Sequence, residues 1–481
     1  MYNDKFTIAK IFTDNAVIQC NKPFFLWGCA SSNSVIFVSI YDSQNKLVKQ
    51  AKTVTNKKGC WQVRFSSMKP SLENHIIQFT CNSKGGDLCL HQELKNILFG
   101  DVWLCSGQSN MAMNYHEVPN ALSNPYTLKN SHIIENYSSA NIRLIKLQSP
   151  LDKENNRFEA PIESWCNCKP EFSKNFSSLA FFFGQKLQEN LGNTPIGLID
   201  ASESDSMIEQ WMSMLTYNQI VVRHNLKKIA YPVISNCFNT MISHIKSLSI
   251  KGIVWYQGCS NTYSYDAVNF YPILLKGLIS EWRKIFNPYI FKKTIPFYIV
   301  QLSTCGKREN ALNNECYFAQ QRWNQTLVSE SIKNSGIVVT LDLGNSGDIA
   351  DVHSINKYDV ADRLANMVLS KTYGLSLAKG VYSPLPIKAR RKRRALIVKF
   401  KYTKILKVGD GTMLRGFSIA GGNKLFEYAD AYIKGDSVVV CPLPDSRIET
   451  PKFVRYAWSK NPNVNLVNDS GLPCGSFEIS I

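Results

Sequence analysis

Five apolar runs limit what this chain can fold into more than any other feature. They are DVWLCS from Asp101, PIGLIDAS from Pro195, KGIVWYQG from Lys251, PFYIVQLS from Pro296 and GIVVTLDLG from Gly336. Segments of helical period lie between them. Before the second run, Leu179, Phe183, Leu187 and Leu191 recur at i, i+4 spacing, and Gly192 is placed to end a helix. Before the fourth, Leu274, Leu278 and Trp282 repeat the interval; after the fifth, Val360, Leu364 and Val368 do so, with Gly374 beyond them. Strands alternating with helices imply βαβ units, hence a mostly parallel sheet covered on both faces. Ligands of such sheets bind beyond the carboxyl ends of the strands, so the polar residues that end the runs are the candidates for function.

At 481 residues the chain exceeds what one hydrophobic core usually serves. Residues 1–98 carry short β-type runs (FFLWG, SVIFVSIYD, CWQVRF, HIIQFTC) separated by Gly, Asn, Ser and Lys, and read as an N-terminal antiparallel β-domain. Residues 99–378 hold the βαβ pattern. Residues 379–481 return to short strands (ALIVKF, GFSIAG, DSVVVCPL, KFVRYAWS) and read as a C-terminal β-domain.

No apolar run approaches the roughly 18 to 20 residues that a membrane span requires, so no membrane span is expected. The start, MYNDKFTIAKIFTDNAVIQC, lacks the basic head, apolar core and small-residue cleavage site of a secretory signal. The compartment is cytosolic on that reading, and extracellular or lysosomal if a leader segment is missing. Sequons at Asn136, Asn175, Asn324 and Asn468 would suit secretion but recur by chance. The 14 cysteines are scattered, with Cys166 and Cys168 the one close pair, and are read mostly as small buried residues. No His, Cys and carboxylate cluster has metal spacing, so a mechanism without metal or cofactor is expected.

The net charge of +18 favours anionic partners such as an acidic glycan. Its densest run, Lys388 to Arg394 (KARRKRR), is read as a solvated turn before ALIVKF, with a polyanion patch as the alternative. Nothing in the sequence demands nucleic acid.

The first run ends in Ser106-Gly107-Gln108-Ser109-Asn110-Met111. A serine on a tight turn at a strand's carboxyl end can expose its hydroxyl, while N–H groups at the following helix start can hold an oxyanion. Met111 stands where the Gly-x-Ser-x-Gly elbow needs its second glycine, so an α/β-hydrolase elbow is excluded. By itself the motif leaves Ser109 open between turn residue and nucleophile. A serine nucleophile needs a base. Of the seven histidines, His353 follows Asp348 and Asp351 one loop beyond the fifth run, on the same sheet edge as Ser109. The third run ends in Gln257-Gly258-Cys259-Ser260-Asn261, where Gln257 or Asn261 could donate to an oxyanion or simply brace a loop.

Together, GDVWLCSGQSNM, the GIVWYQG block with Ser260 and Asn261, and the Asp-x-His before Asn-Lys resemble the sialate O-acetylesterase family. These are SGNH-type hydrolases that remove acetyl esters from sialic acids and related sugars. The similarity runs from IFTDNAVIQ to VRYAWSKNP and GLP. It implies a three-layer α/β/α fold around five parallel strands, flanked by N- and C-terminal β-sandwich-like domains. It also implies Ser109 as nucleophile and His353 as base. Asp351 becomes the orienting acid, with Asp348 as runner-up, because Ala350 occupies the position usual for the acid. The oxyanion hole falls to Ser109, Ser204, Asp205, Gln257 and Asn261. The implied substrate is an O-acetylated sialic acid or another acetylated sugar.

Two positions depart from the family pattern. Trp-Gly-Gly-Thr after the second strand is replaced by Glu203-Ser204-Asp205-Ser206, and the glutamate of Gln-Gly-Glu by Cys259. Losing glycine restricts the backbone, added carboxylates oppose a developing negative charge, and a thiol is a poor acceptor. The alternative to the esterase is therefore a catalytically impaired or inactive glycan-binding relative.

Overall fold

The computed structural model describes residues 6–82, 89–115, 125–147, 164–226, 233–286, 294–309, 315–344 and 351–481. Its axis is a long strand, β1 (Cys89–Gly107). The first half of β1 pairs antiparallel with Ser71–Asn82 and parallel with Val17–Gln19, so the N-terminal region is not purely antiparallel. Residues 98 and 99 lie inside this one strand, which ties the N-terminal sheets to the centre without a linker.

The second half of β1 sits in the central sheet with β2 (Ser139–Lys146), β3 (Cys166–Cys168), β4 (Ile196–Ser202), β5 (Gly252–Tyr256), β6 (Phe297–Val300) and β7 (Ser335–Val338). The order is β3-β2-β4-β1-β5-β6-β7, parallel throughout except for β3 at one edge. The five expected runs are β1 and β4 to β7. The sheet adds β2 and the Cys166–Cys168 edge, so six strands run parallel rather than five. Arg143 in the middle of β2 disguises it in sequence. The side chain is buried, and its guanidinium is held by Ala140 O at 2.7 Å, Asn15 Oδ1 at 3.2 Å and Asn96 Oδ1 at 3.3 Å.

Successive side chains of a strand point to opposite faces, and here they enter two different cores. Leu104, Ile199, Ile253, Trp255, Phe297 and Ile299 join one; Trp103, Cys105, Leu198, Val254, Tyr298 and Val300 join the other. Helices cover both faces. On the first side lie α3 (Met214–His224), α4 (Tyr265–Ile285) and Val328 of α5 (Tyr317–Ser331). On the second lie α2 (Ser178–Leu191) and α6 (Lys357–Lys371), through the predicted stripes Leu179, Phe183, Leu187 and Val360, Leu364, Val368. The short α1 (Ser109–Ala112) opens directly off β1. Side chains of Ser177, Ser264 and Asn356 cap α2, α4 and α6 by accepting otherwise orphaned N–H groups.

The C-terminal region is a seven-stranded antiparallel sheet in the order 385–392, 395–401, 437–442, 426–434, 417–420, 453–456 and 477–480. This corrects the turn reading of the basic run. Lys388 to Lys392 belong to the edge strand Leu385–Lys392, paired with Ala395–Lys401, and the turn falls at Arg393, whose φ is 56°. Charge on an edge strand blocks pairing with another chain, a reason for its basicity that needs no polyanion.

Arg322 of α5 joins this region to the centre. Fully buried, it donates to Leu302 O (3.1 Å) and Ser303 O (2.9 Å) after β6, and to Ser459 O (2.9 Å) and Lys460 O (2.6 Å) of the C-terminal region.

Thirteen of the 14 cysteines are free thiols, most of them buried. Of the sequons, Asn136 and Asn175 are exposed, whereas Asn324 and Asn468 are buried with their amides hydrogen-bonded. Among the described residues no helix is long and apolar enough to cross a membrane.

Candidate active site

The carboxyl ends of three strands meet where the sheet order reverses: Gly107 of β1 is level with Ser202 of β4 and with Tyr256 of β5. Such a switch point opens a crevice. Only glycine fits at 107. Its φ is 146°, and a Cβ there would lie 2.1 Å from Tyr256 O. The sharp exit it permits lets Gln108 N–H donate to Tyr256 O at 3.0 Å and makes Ser109 the first residue of α1.

His353 reaches this serine from the loop between β7 and α6. Its Nε2 lies 2.8 Å from Ser109 Oγ, and its Nδ1 lies 2.7 Å from Asp351 Oδ1. The same carboxylate oxygen accepts the His353 backbone N–H at 2.9 Å, which fixes the loop as well as the ring. Ser109, His353 and Asp351 are thus brought together in one hydrogen-bonded line. Asp348 and Ala350 lie outside the described residues.

Ser109 N–H donates to no acceptor among the described residues, and neither do the N–H groups of Ser204 and Asp205. These last two are exposed in the turn after β4. The turn is anchored beside Ser109 by Glu203 N–H donating to Gly107 O at 3.0 Å, and Ser206 Oγ donates back to Glu203 O at 2.7 Å. Asp205 has φ 54°, the left-handed region that a glycine occupies freely. Behind the turn three fully buried tryptophans pack edge to face: Trp211 on Trp255 at 5.8 Å and Trp255 on Trp282 at 5.6 Å. Trp211 Nε1 donates to Ser206 Oγ at 2.9 Å.

The two candidate amides lie beneath this turn. Gln257 Nε2 donates to Ser206 O (3.1 Å) and Asn261 Oδ1 (2.8 Å), and Asn261 Nδ2 donates to Glu209 Oε2 (3.0 Å). Both residues are fully buried, and burial raises the pKa of Glu209. Both hydrogens of the Gln257 amide are therefore engaged within the protein.

Four residues at the site carry weight that motif reading did not assign. Gln108 Oε1 accepts Gly258 N–H at 2.9 Å, joining the serine turn to the β5 turn. Asn110 Nδ2 donates to Val352 O at 2.9 Å, and Lys357 Nζ donates to Asn110 Oδ1 at 2.6 Å. Glu209 closes the network below. The first two were visible as letters of SGQSNM, and Lys357 as the lysine that follows the Asp-x-His; their partners were not. Lys357 is 2% exposed, and burial lowers its amine to about 7, with Cys259 and Asp351 opposing. Cys259 is partly exposed as a residue, yet its thiol is enclosed enough that burial pushes it up to about 12, so it is protonated at neutral pH and no thiolate nucleophile. Among the described residues no group of three or more His, Cys, Asp or Glu could hold a metal ion.

The profile of the carbohydrate esterase family of sialic acid-specific acetylesterases matches residues 99–370. The chain belongs to this family. It is 28% identical to human sialate O-acetylesterase over 391 residues, covering 77% of this chain and 71% of the human one. It is 27% identical to the mouse enzyme of that name over 414 residues, covering 76% and 73%. The crystal structure of a carbohydrate acetylesterase from Xanthomonas citri superposes with a TM-score of 0.81 at 27% identity, covering 98% of this chain and 99% of that one. The family match spans all the site residues named above, and the structural likeness takes in the β-rich regions on either side.

Proposed function

We propose that this esterase-family chain removes O-acetyl groups from sialic acid or a related acetylated sugar, by a Ser-His-Asp mechanism. The scaffold is proposed to be the SGNH-type three-layer α/β/α sheet, flanked by β-sandwich-like domains. The observation that carries the reading is the line from Ser109 Oγ through the His353 ring to Asp351, with links of 2.8 and 2.7 Å. Family membership supplies the substrate class.

In this mechanism the Nδ1–H of His353 stays on Asp351, which leaves Nε2 to take the Ser109 proton as Oγ attacks the acetyl carbonyl carbon. The carbonyl oxygen becomes negative and is met by the N–H groups of Ser109, Ser204 and Asp205, which donate to no other acceptor among the described residues. Gln257 and Asn261 act in this reading as braces of the turn. Collapse of the intermediate breaks the bond to the sugar oxygen, which receives its proton from His353 Nε2. His353 then deprotonates water, which attacks the acetyl group on Ser109 and releases acetate. The net charge of +18 steers an acidic sugar toward the protein.

Acetate release from an O-acetylated sialic acid and from an aryl acetate tests the proposal, together with mass-spectrometric mapping of a fluorophosphonate adduct. Release from both substrates with the adduct on Ser109 is expected. A protein inert to both substrates and to the probe, yet able to bind a sialoglycan, would be the inactive glycan binder instead.

The exposed Asp205 holds a negative charge beside the N–H groups that must meet an oxyanion, and does so at positive φ. Asp205→Gly removes both burdens. The expected result is a rise in kcat of roughly three- to tenfold, on the order of 1 kcal/mol off the barrier, with thermal stability unchanged or slightly higher. A fall in kcat would show that the aspartate assists the reaction.

A further inference from the structure

Lys357 is badly placed by every general rule. It is fully buried, it is the first residue of α6, where the helix dipole disfavours a cation, and among the described residues its one hydrogen-bond acceptor is Asn110. Among the described residues, the charged and titratable groups that face it are Asp351 and the protonated thiol of Cys259, with the ring of Tyr256 5.5 Å away. Among the described residues no carboxylate pairs with it directly. A methionine would fill the same space without the desolvation that lowers its amine to about 7.

What the amine does is set the orientation of an amide. An asparagine side chain offers an acceptor at one end and donors at the other. As an ammonium Lys357 can only donate, so it holds Oδ1 of Asn110 toward itself while Nδ2 faces Val352 O. Asn110 adjoins Ser109, and Val352 stands between Asp351 and His353. The amide therefore bridges the helix bearing the serine to the loop bearing the base and its acid. Without the donor at Oδ1 the amide keeps, among the described residues, only Val352 O and the Cys259 thiol as partners, and its oxygen is left buried without the charge-assisted bond that pins the bridge.

We propose that Lys357 is a positioning residue for the Ser109–His353 pair, acting through Asn110. The inference rests on the esterase reading for its kinetic consequence but not for its structural one. A shift of the imidazole by about 1 Å lowers rates by on the order of a hundredfold.

The test compares wild type, Lys357→Met, Asn110→Ala and the double variant in three measurements: steady-state kinetics, thermal unfolding from pH 6 to 10, and the downfield proton resonance of the His353–Asp351 hydrogen bond. Each single variant is expected to lower kcat roughly 10- to 100-fold with KM within about twofold, and the double variant no further, because both break one device. The resonance moves or broadens in all three. The melting temperature of Lys357→Met equals or exceeds that of wild type. Its advantage is largest below pH 7, where the native ammonium is buried, and shrinks as pH rises and the unfolded lysine alone stays charged toward 10.5. Unchanged kcat and resonance in Lys357→Met would overturn the proposal, as would a loss of activity that tracks a lower melting temperature with the resonance intact. A wild type that releases no acetate, while the resonance still moves in Lys357→Met, would sink the esterase reading and leave the positioning role standing.

Discussion

Ser109→Ala is expected to lower kcat for acetate release by at least about 10³- to 10⁴-fold, with KM and melting temperature nearly unchanged. The side chain carries a single hydroxyl, so although Ser109 is buried its loss removes one atom and opens no sizeable cavity. What disappears is the atom that would carry the acetyl group. His353→Gln is expected to fall as far, because the proton on Oγ then has no acceptor at 2.8 Å. Asp351→Asn is expected to reduce kcat substantially as well, since an amide at 2.7 Å from Nδ1 can hold the ring in the wrong tautomer. The three act as a unit, so the Ser109→Ala/His353→Gln double variant should be no slower than either single one. Acetate release measured under saturating substrate decides this. A Ser109→Ala variant retaining a tenth of the activity would rule the serine out as nucleophile.

The second large effect concerns stability rather than chemistry. Arg322→Met removes five donors from a fully buried position and leaves the carbonyls of Leu302, Ser303, Ser459 and Lys460 without them. Stranded buried polar groups cost roughly 1 to 3 kcal/mol each where water cannot reach them. With partial relaxation, a loss of about 3 to 5 kcal/mol is expected, measured as a lower urea midpoint. Since two of the carbonyls belong to the central region and two to the C-terminal one, the variant should also be cleaved more readily between them by a protease. An unchanged midpoint would mean that water takes over the donors' role and that the two regions are joined mainly by apolar contact. The core containing Val339, Leu341, Leu396, Phe417 and Phe477 spans the same junction and would be the alternative fastening.

Much of this architecture was legible because its signals are local. The parallel sheet follows from apolar runs alternating with i, i+4 stripes, and the stripes predicted for α2, α4 and α6 are the ones that enter the cores. Strand β2 is hidden in the sequence because Arg143 reads as a surface residue, and only the fold brings Asn15, Asn96 and Ala140 around it. The basic run misleads for the complementary reason. Seven residues with six charges look like a solvated turn, but an edge strand tolerates, and gains from, the same composition.

The site divides in the same way. Motif and position made Ser109 and His353 candidates, the family resemblance chose them with Asp351, and the three meet in one hydrogen-bonded line. The burial of Gln257 and Asn261 under the Glu203 turn was not readable, because an amide's direction depends on which acceptors surround it. Nor was Lys357, an ordinary helix-start lysine by its letter.

What the sequence determined by itself was the periodicity of its elements and the chemical types at the strand ends, since both depend on neighbours a few residues apart. Which of those groups touch was decided by the tertiary structure alone. Ser109 and His353 are 244 residues apart and Asn110 and Lys357 are 247 apart. Contacts of that range exist only after the sheet has set the ends of β1, β5 and β7 on one edge. There the burial that lowers the Lys357 amine and the line from serine to aspartate arise together, from packing rather than from composition.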